Sequence, residues 1–121
     1  MKVKNLLALC ALTLAASYPL GAHAHARLEA SDPKAGSIVA TAPKQLRLQF
    51  SDIVELAFSK VKLLDKANTS ILPLKLDLDK SNPKTIVASL PPLKSGPYRV
   101  QWTALTRDGH KVKGEFAFQV K

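Results

Sequence analysis

Hydrophobic and polar residues alternate along several short stretches of this chain. The clearest stretch is Gln45–Phe50, in which leucine, leucine and phenylalanine alternate with glutamine, arginine and glutamine. The same period of two recurs in residues 60–63, 98–103 and 115–120. Because residues i and i+2 lie on one face of a strand, this pattern predicts half-buried antiparallel strands. Residues 27–30, 71–76 and 85–90 are three further candidate strands.

Turn-forming residues separate these stretches, and no stretch has a convincing helical periodicity. The turn signals include Asp32-Pro33, Ser81-Asn82-Pro83, Ser95-Gly96-Pro97 and Asp108-Gly109. About seven short strands predict an all-β domain, an immunoglobulin-like Greek-key β-sandwich or barrel. The less regular residues 51–58 are expected to connect the two sheets. Trp102 and the phenylalanines are expected to fill the centre of the core.

The first 24 residues are predicted to be a cleaved secretory signal peptide. Two early lysines precede an apolar stretch over residues 6–16, and Ala22-His23-Ala24 supplies small residues on both sides of a cleavage site. The apolar stretch is too short for a permanent membrane span. Cleavage after Ala24 is favoured over cleavage after Ala22, which leaves residues 25–121 as the mature domain. We therefore expect a periplasmic protein without stable membrane insertion.

Removal of the signal peptide changes the composition in a way that limits the chemistry. The one cysteine and the one methionine, Cys10 and Met1, are both lost, and 97 of the 121 residues remain. Their net charge is +7, from 16 basic and nine acidic side chains. Without sulfur, neither a disulfide nor a methionine site for Cu(I) is available, so any metal needs nitrogen and oxygen ligands.

The basic charge and the motif content exclude other classes of function. The basic residues are spread along the chain with no dense run and no interleaved aromatic platform, so nucleic-acid binding is not predicted. Attraction to an acidic membrane surface or an acidic partner remains open. The sequence has no nucleophile motif, no phosphate-binding loop and no catalytic carboxylate pair near a base. We therefore predict that the protein is not an enzyme.

Candidate metal ligands occur at two places in the mature sequence. A chain that begins at His25 offers an α-amine and an imidazole, which can chelate one ion together. Asp108 and His110 flank Gly109, and a bend at this glycine would bring their side chains together. Two imidazoles, an amine and a carboxylate suit Cu(II) best, with Ni(II) and Zn(II) next.

Each of these features also has a structural explanation. An isolated Asp-Gly is most often only a hairpin turn, and His25 could be incidental to the cleavage site. The metal hypothesis gains weight because only two histidines, His25 and His110, survive cleavage after Ala24. Cleavage after Ala22 would instead expose His23-Ala24-His25, a chelating sequence that also selects Cu(II) or Ni(II).

Several motifs of the mature chain match those of one known family. They are His25-Ala26-Arg27-Leu28, Ser31-Asp32-Pro33 with Gly36, Leu48-Gln49-Phe50-Ser51-Asp52, and Tyr98-x-Val100-x-Trp102 followed by Asp108-Gly109-His110, Gly114 and Phe118. With these motifs the sequence resembles, over essentially the whole mature chain, the CopC family of periplasmic copper-binding proteins. The resemblance implies a Greek-key β-barrel or sandwich. It also implies one Cu(II) ion per chain, held by the amine and imidazole of His25 with Asp108 and His110.

The resemblance also extends and limits this ligand set. Asp52 is implied as a weaker candidate, either beside the ligands or in an axial position. Some members of the family carry a methionine-rich loop for Cu(I), whereas no methionine follows Met1 here, so no Cu(I) methionine site is expected. Thr106 stands where the family commonly has serine, and Arg107 either orients Asp108 or faces solvent.

The predicted function is sequestration or delivery of Cu(II) in copper homeostasis and resistance. An inner-membrane copper transporter is the candidate partner for delivery. Two alternatives are a copper-brace oxidase and a metal-independent immunoglobulin-like interaction module. The oxidase is disfavoured because Asp108 would occupy a coordination position that oxygen needs.

Overall fold

The computed structural model describes residues 26–121, which form eight strands and one short 3-10 helix. The predicted signal peptide and His25 lie outside these residues. None of the helical structure in the described part of the chain is long and apolar enough to cross a membrane. The strands are β1 Leu28–Asp32, β2 Ile38–Val39, β3 Gln45–Phe50, β4 Lys60–Leu64, β5 Lys75–Asp79, β6 Asn82–Ser89, β7 Gly96–Leu105 and β8 Lys111–Val120, and the 3-10 helix is Leu56–Phe58.

The strands form two four-stranded sheets, which confirms the predicted β-sandwich. The first sheet has the strand order β1-β3-β6-β5 and the second has the order β2-β8-β7-β4. All pairings are antiparallel except that of β2 with β8. Residues 51–58 connect β3 in the first sheet to β4 in the second, as the sequence predicted.

The core lies between the inward faces of the two sheets. Leu46, Leu48 and Phe50 of β3 are all fully buried, so the alternation along this strand matches its buried face. The ring of Phe50 contacts Trp102 edge-on at a centroid distance of 5.1 Å. One phenylalanine departs from the expectation that these residues fill the core, because Phe58 is 63% exposed at the end of the 3-10 helix.

Residues 71–76 were expected to form one strand, and this prediction is wrong in its boundaries. The amide of Ile71 donates to the carbonyl oxygen of Leu63 at 2.8 Å, and Ser70 forms a bridge with Leu64. The start of this stretch therefore lies beside β4 in the second sheet. The chain then enters the first sheet, where β5 begins only at Lys75.

The turn predicted at residues 81–83 also lies slightly earlier than expected. Asp79 and Asn82 are partners at the end of the β5–β6 ladder, so Lys80 and Ser81 form the turn. Asn82 belongs to β6 because it pairs with Asp79 after a shift of register between Leu78 and Asp79.

Candidate metal centre

The turn between β7 and β8 carries the Asp108-Gly109-His110 sequence. Thr106 closes this turn, because its amide donates to the carbonyl oxygen of His110 at 3.0 Å. Its own carbonyl oxygen accepts from the amide of Gly109 at 2.9 Å. Gly109 has a φ of +90°, a conformation that side-chain-bearing residues rarely adopt. The glycine therefore permits the reversal that turns residues 108 and 110 towards each other.

The side chains of Asp108 and His110 form a direct contact at the surface. Nδ1 of His110 lies 3.0 Å from Oδ2 of Asp108, and the His110 amide donates to Oδ1 of Asp108 at 3.3 Å. The side chains are 37% exposed for Asp108 and 46% exposed for His110. A carboxylate and an imidazole thus lie together where an ion from solvent can reach them.

Thr106 contacts the carboxylate of Asp108 from the buried side of the turn. Its side chain is fully buried, and its hydroxyl donates a hydrogen bond to Oδ1 of Asp108. This hydrogen bond, followed in importance by the contact with His110, lowers the pKa of Asp108 to about 2. Asp108 is therefore ionised throughout the neutral and mildly acidic range. This function of Thr106 was not predicted from the sequence, in which a hydroxyl residue two positions before the aspartate was the available signal.

Residues 51–55 form backbone contacts both with this turn and with the start of the described chain. Val54 forms a bridge with Thr106, and the amide of Arg107 donates to the carbonyl oxygen of Ile53 at 2.8 Å. Two residues before Ile53, Ser51 pairs with Arg27: its hydroxyl oxygen accepts from the Arg27 amide, and its amide donates to the Arg27 carbonyl, both at 2.9 Å. One short segment therefore contacts both the β7–β8 turn and the residues that follow position 25.

Asp52 lies in this segment, and Oδ1 of its carboxylate accepts from the amide of the neighbouring Ile53 at 2.7 Å. Within residues 26–121, no group of three or more His, Cys, Asp or Glu side chains is placed to hold a metal. The place of Asp52 beside the ligands or in an axial position stays a prediction. Arg107 is exposed and belongs to none of the ion pairs among these residues, so it faces solvent.

The fold and the turn together define a class of protein: a small Greek-key β-sandwich with an exposed carboxylate–imidazole pair at the turn between two adjacent strands. Comparison with known proteins identifies the particular family. The model of the CopC domain matches residues 28–121, and the chain belongs to the CopC family.

Relatives of known structure and sequence agree with this assignment. The crystal structure of CopC from Methylosinus trichosporium OB3b has a TM-score of 0.75 and 31% identity, covering 80% of this chain and 94% of that one. The structure of PcoC, a methionine-rich copper resistance protein from Escherichia coli, has a TM-score of 0.71 and 36% identity, covering 81% of this chain and 100% of that one. Protein YobA from Escherichia coli K12 is 37% identical over 99 residues, which are 81% of this chain and 80% of that protein.

Proposed function

We propose that this protein binds one Cu(II) ion in the periplasm and sequesters it or delivers it to an inner-membrane copper transporter. The ligands in this proposal are the amine and imidazole of His25, together with Asp108 and His110. The observation that carries the proposal is the contact of 3.0 Å between Asp108 and His110 in a chain of the CopC family. A solved relative described as a copper resistance protein supports copper as the ion.

The chemistry of the Asp108–His110 pair favours a divalent ion of borderline softness. Imidazole nitrogen and carboxylate oxygen together suit Cu(II), whereas Cu(I) prefers thioether and thiolate sulfur. Asp108 contributes the negative charge and an oxygen, and the buried hydroxyl of Thr106 orients its carboxylate.

The position of Arg27 supports the inclusion of the chain start in this site. His25 lies two residues before Arg27, which is paired through its backbone with Ser51. Consecutive Cα atoms are about 3.8 Å apart, so two residues span at most about 7 Å from this fixed point. Ala26 is itself buried, with 7% of its surface exposed, which anchors the residue next to His25.

The experiment that tests this proposal is a Cu(II) titration followed by electron paramagnetic resonance. It compares protein that begins at His25 with a copy that retains one extra methionine before His25. The extended copy lacks the α-amine at the chelating position, so we expect weaker binding and altered copper hyperfine couplings. Equal affinity and identical spectra for the two proteins would contradict the amine chelate.

A second comparison tests the Asp108–His110 pair. His110→Ala is expected to change the spectrum and weaken binding, because one of the imidazoles is lost. An unchanged spectrum and affinity in this variant would mean that His110 is not a ligand and that His25 holds the ion. Addition of a reductant and oxygen to the copper-loaded protein separates binding from catalysis, since we propose a carrier that does not turn over substrate.

A further inference from the structure

A groove of about 740 Å³ lies along β4 and is also lined by residues of β5, β7 and β8, and its lining combines two kinds of side chain. Its volume falls within the range of ligand-binding clefts. The apolar part of the lining includes leucines from the β4–β5 connection and β5, together with Val61 and Trp102. The charged and apolar side chains of the lining include Lys60, Lys62, Lys113, Glu115, Leu72, Leu74 and Leu76.

The charged part of this lining is strongly positive. Lys60 and Lys113 are both cross-strand partners of Thr103, so they lie in one row across the sheet. No lysine belongs to an ion pair among residues 26–121, so the three groove lysines are uncompensated. Glu115 does not neutralise them, since its Oε1 accepts from Gln101 at 2.9 Å and from Arg99 at 3.3 Å.

The backbone of β4 is also open along the groove. β4 is the edge strand of its sheet, and Ser70 and Ile71 cover that edge only at Leu64 and Leu63. In the described part of the chain, the backbone of residues 60–62 makes no hydrogen bond beyond the ladder with β7. An unpaired strand edge is a template for a further strand.

We propose that this groove binds an extended, acidic and amphipathic segment of a partner protein as an added strand beside β4. Side chains at i and i+2 of an extended segment are about 6.6–6.8 Å apart, the same interval that separates Lys60 from Lys62 on β4. Alternate carboxylates of the segment therefore pair with Lys60 and Lys62. The intervening apolar side chains contact Leu72, which is 73% exposed, and the leucines beside it.

The strand edge favours a peptide over an anionic lipid surface. Phosphate headgroups would satisfy the lysines, but they have no backbone to pair with residues 60–62. The groove contains none of the residues assigned to copper, so peptide binding is expected without copper and does not depend on the copper ligands.

The test is a titration of metal-free protein with a short capped peptide of alternating glutamate and leucine. Trp102 is the one tryptophan of the chain and lines the groove, so its fluorescence reports on occupancy. We expect saturable binding that weakens at least tenfold when Lys60, Lys62 and Lys113 are all replaced by glutamate. A matched variant with the exposed lysines 44, 80 and 84 replaced by glutamate has the same net charge and is expected to bind within about twofold of the wild type.

Two further measurements make the outcome decisive. Leu72→Ser removes an exposed side chain at little risk to folding, and it is expected to weaken the peptide several-fold. Amide chemical-shift changes are expected at residues 60–62. Equal losses in the two charge-reversal variants, or shift changes confined to other strands, would overturn the proposal. Co-sedimentation with phosphatidylglycerol vesicles through the same three lysines, without peptide binding, would assign the surface to lipid instead.

Discussion

The indole of Trp102 lies against Gly114, its direct cross-strand partner between β7 and β8. A Cβ atom built on Gly114 would lie 2.5 Å from Cζ2 and 2.9 Å from Cε2 of the indole. Both distances are far shorter than a normal carbon–carbon contact of about 3.5–4.0 Å. Position 114 is therefore glycine because the ring of Trp102 occupies the space of a side chain.

Replacement of Gly114 by alanine is the first prediction from this contact. The added methyl group forces the indole or the strand to move, and overpacking of this kind costs about 1–3 kcal/mol. Urea unfolding followed by circular dichroism measures the loss. If Gly114→Ala unfolds at the wild-type midpoint, the ring does not occupy this space.

A double-mutant cycle separates this clash from the conformational effect of losing a glycine. In a Trp102→Phe background the smaller ring leaves room for the methyl group, so Gly114→Ala is expected to cost less than it does beside tryptophan. A direct clash would be contradicted if the double variant loses as much free energy of unfolding as the two single variants lose together.

The hydroxyl of Thr106 gives the second prediction. Thr106→Val keeps the shape of this buried side chain but removes the hydrogen bond to Asp108, so the carboxylate loses its orientation. Loss of such an outer partner typically lowers metal affinity by about 10–100-fold. We expect Cu(II) affinity to fall by at least about tenfold, as measured by competition with a chelator of known affinity.

Thr85→Val is the matched control for this prediction. Thr85 is also a buried threonine, at 2% exposure, but it lies on β6 in the other sheet. Its replacement is expected to leave copper affinity unchanged. A comparable loss of affinity in the two variants would indicate a general effect of removing a buried hydroxyl and not an effect on Asp108.

The third prediction concerns the protons released when copper binds. The hydrogen bond from Thr106 and then the contact with His110 hold the pKa of Asp108 at about 2, so its carboxyl group has no proton to release at pH 5.5. Binding of copper to imidazole and amine ligands displaces protons, so we expect these groups to release protons and the affinity to fall as the pH falls.

Calorimetry in buffers of different ionisation enthalpy counts these protons. We expect Asp108→Asn to weaken copper binding while leaving the number of protons released at pH 5.5 nearly unchanged. A decrease of about one proton in this variant would mean that Asp108 is protonated in the free protein, contrary to its low pKa.

The sequence predicted the sandwich well because period-two alternation directly records which face of a strand is buried. This is why Gln45–Phe50 was predicted with its observed bounds. The alternation did not predict the correct strand bounds for residues 71–76. Apolar residues occur throughout this stretch, although its start lies beside β4 in the second sheet and its end belongs to β5 in the first. The same limit explains why the sequence did not show the groove along β4, whose lining comes from strands that are distant in sequence.

The part of the candidate site that could be predicted from the sequence is the part formed by residues close together along the chain. Asp108 and His110 are two residues apart, so the bend at Gly109 is sufficient to bring them together. The support from Thr106 depends on a buried rotamer, and the link from Ser51 to Arg27 joins residues that are 24 positions apart. Neither relationship has a periodic signature in the sequence.

The last prediction concerns Asp79, whose carboxylate forms an ion pair with Arg47 across the first sheet. The hydrogen bond from Arg47, followed by those from the amide and hydroxyl of Ser81, lowers the pKa of Asp79 from 3.8 to about 2. A carboxyl group whose pKa is lower in the folded state stabilises the fold above its unfolded pKa, and this contribution disappears as the pH falls towards the folded pKa.

Asp79→Asn is therefore expected to lower the free energy of unfolding at pH 7 and to reduce the loss of stability between about pH 4 and pH 2. Urea unfolding at pH 7, 4 and 2 measures both effects. Asp77→Asn is the control, because Asp77 is exposed on the same strand and belongs to none of the ion pairs among residues 26–121. Asp77→Asn is expected to change neither the free energy of unfolding at pH 7 nor its loss between about pH 4 and pH 2, because no hydrogen bond from a guanidinium group is removed. If the two variants lose stability equally at pH 7, the effect comes from general surface charge and not from the Arg47–Asp79 pair.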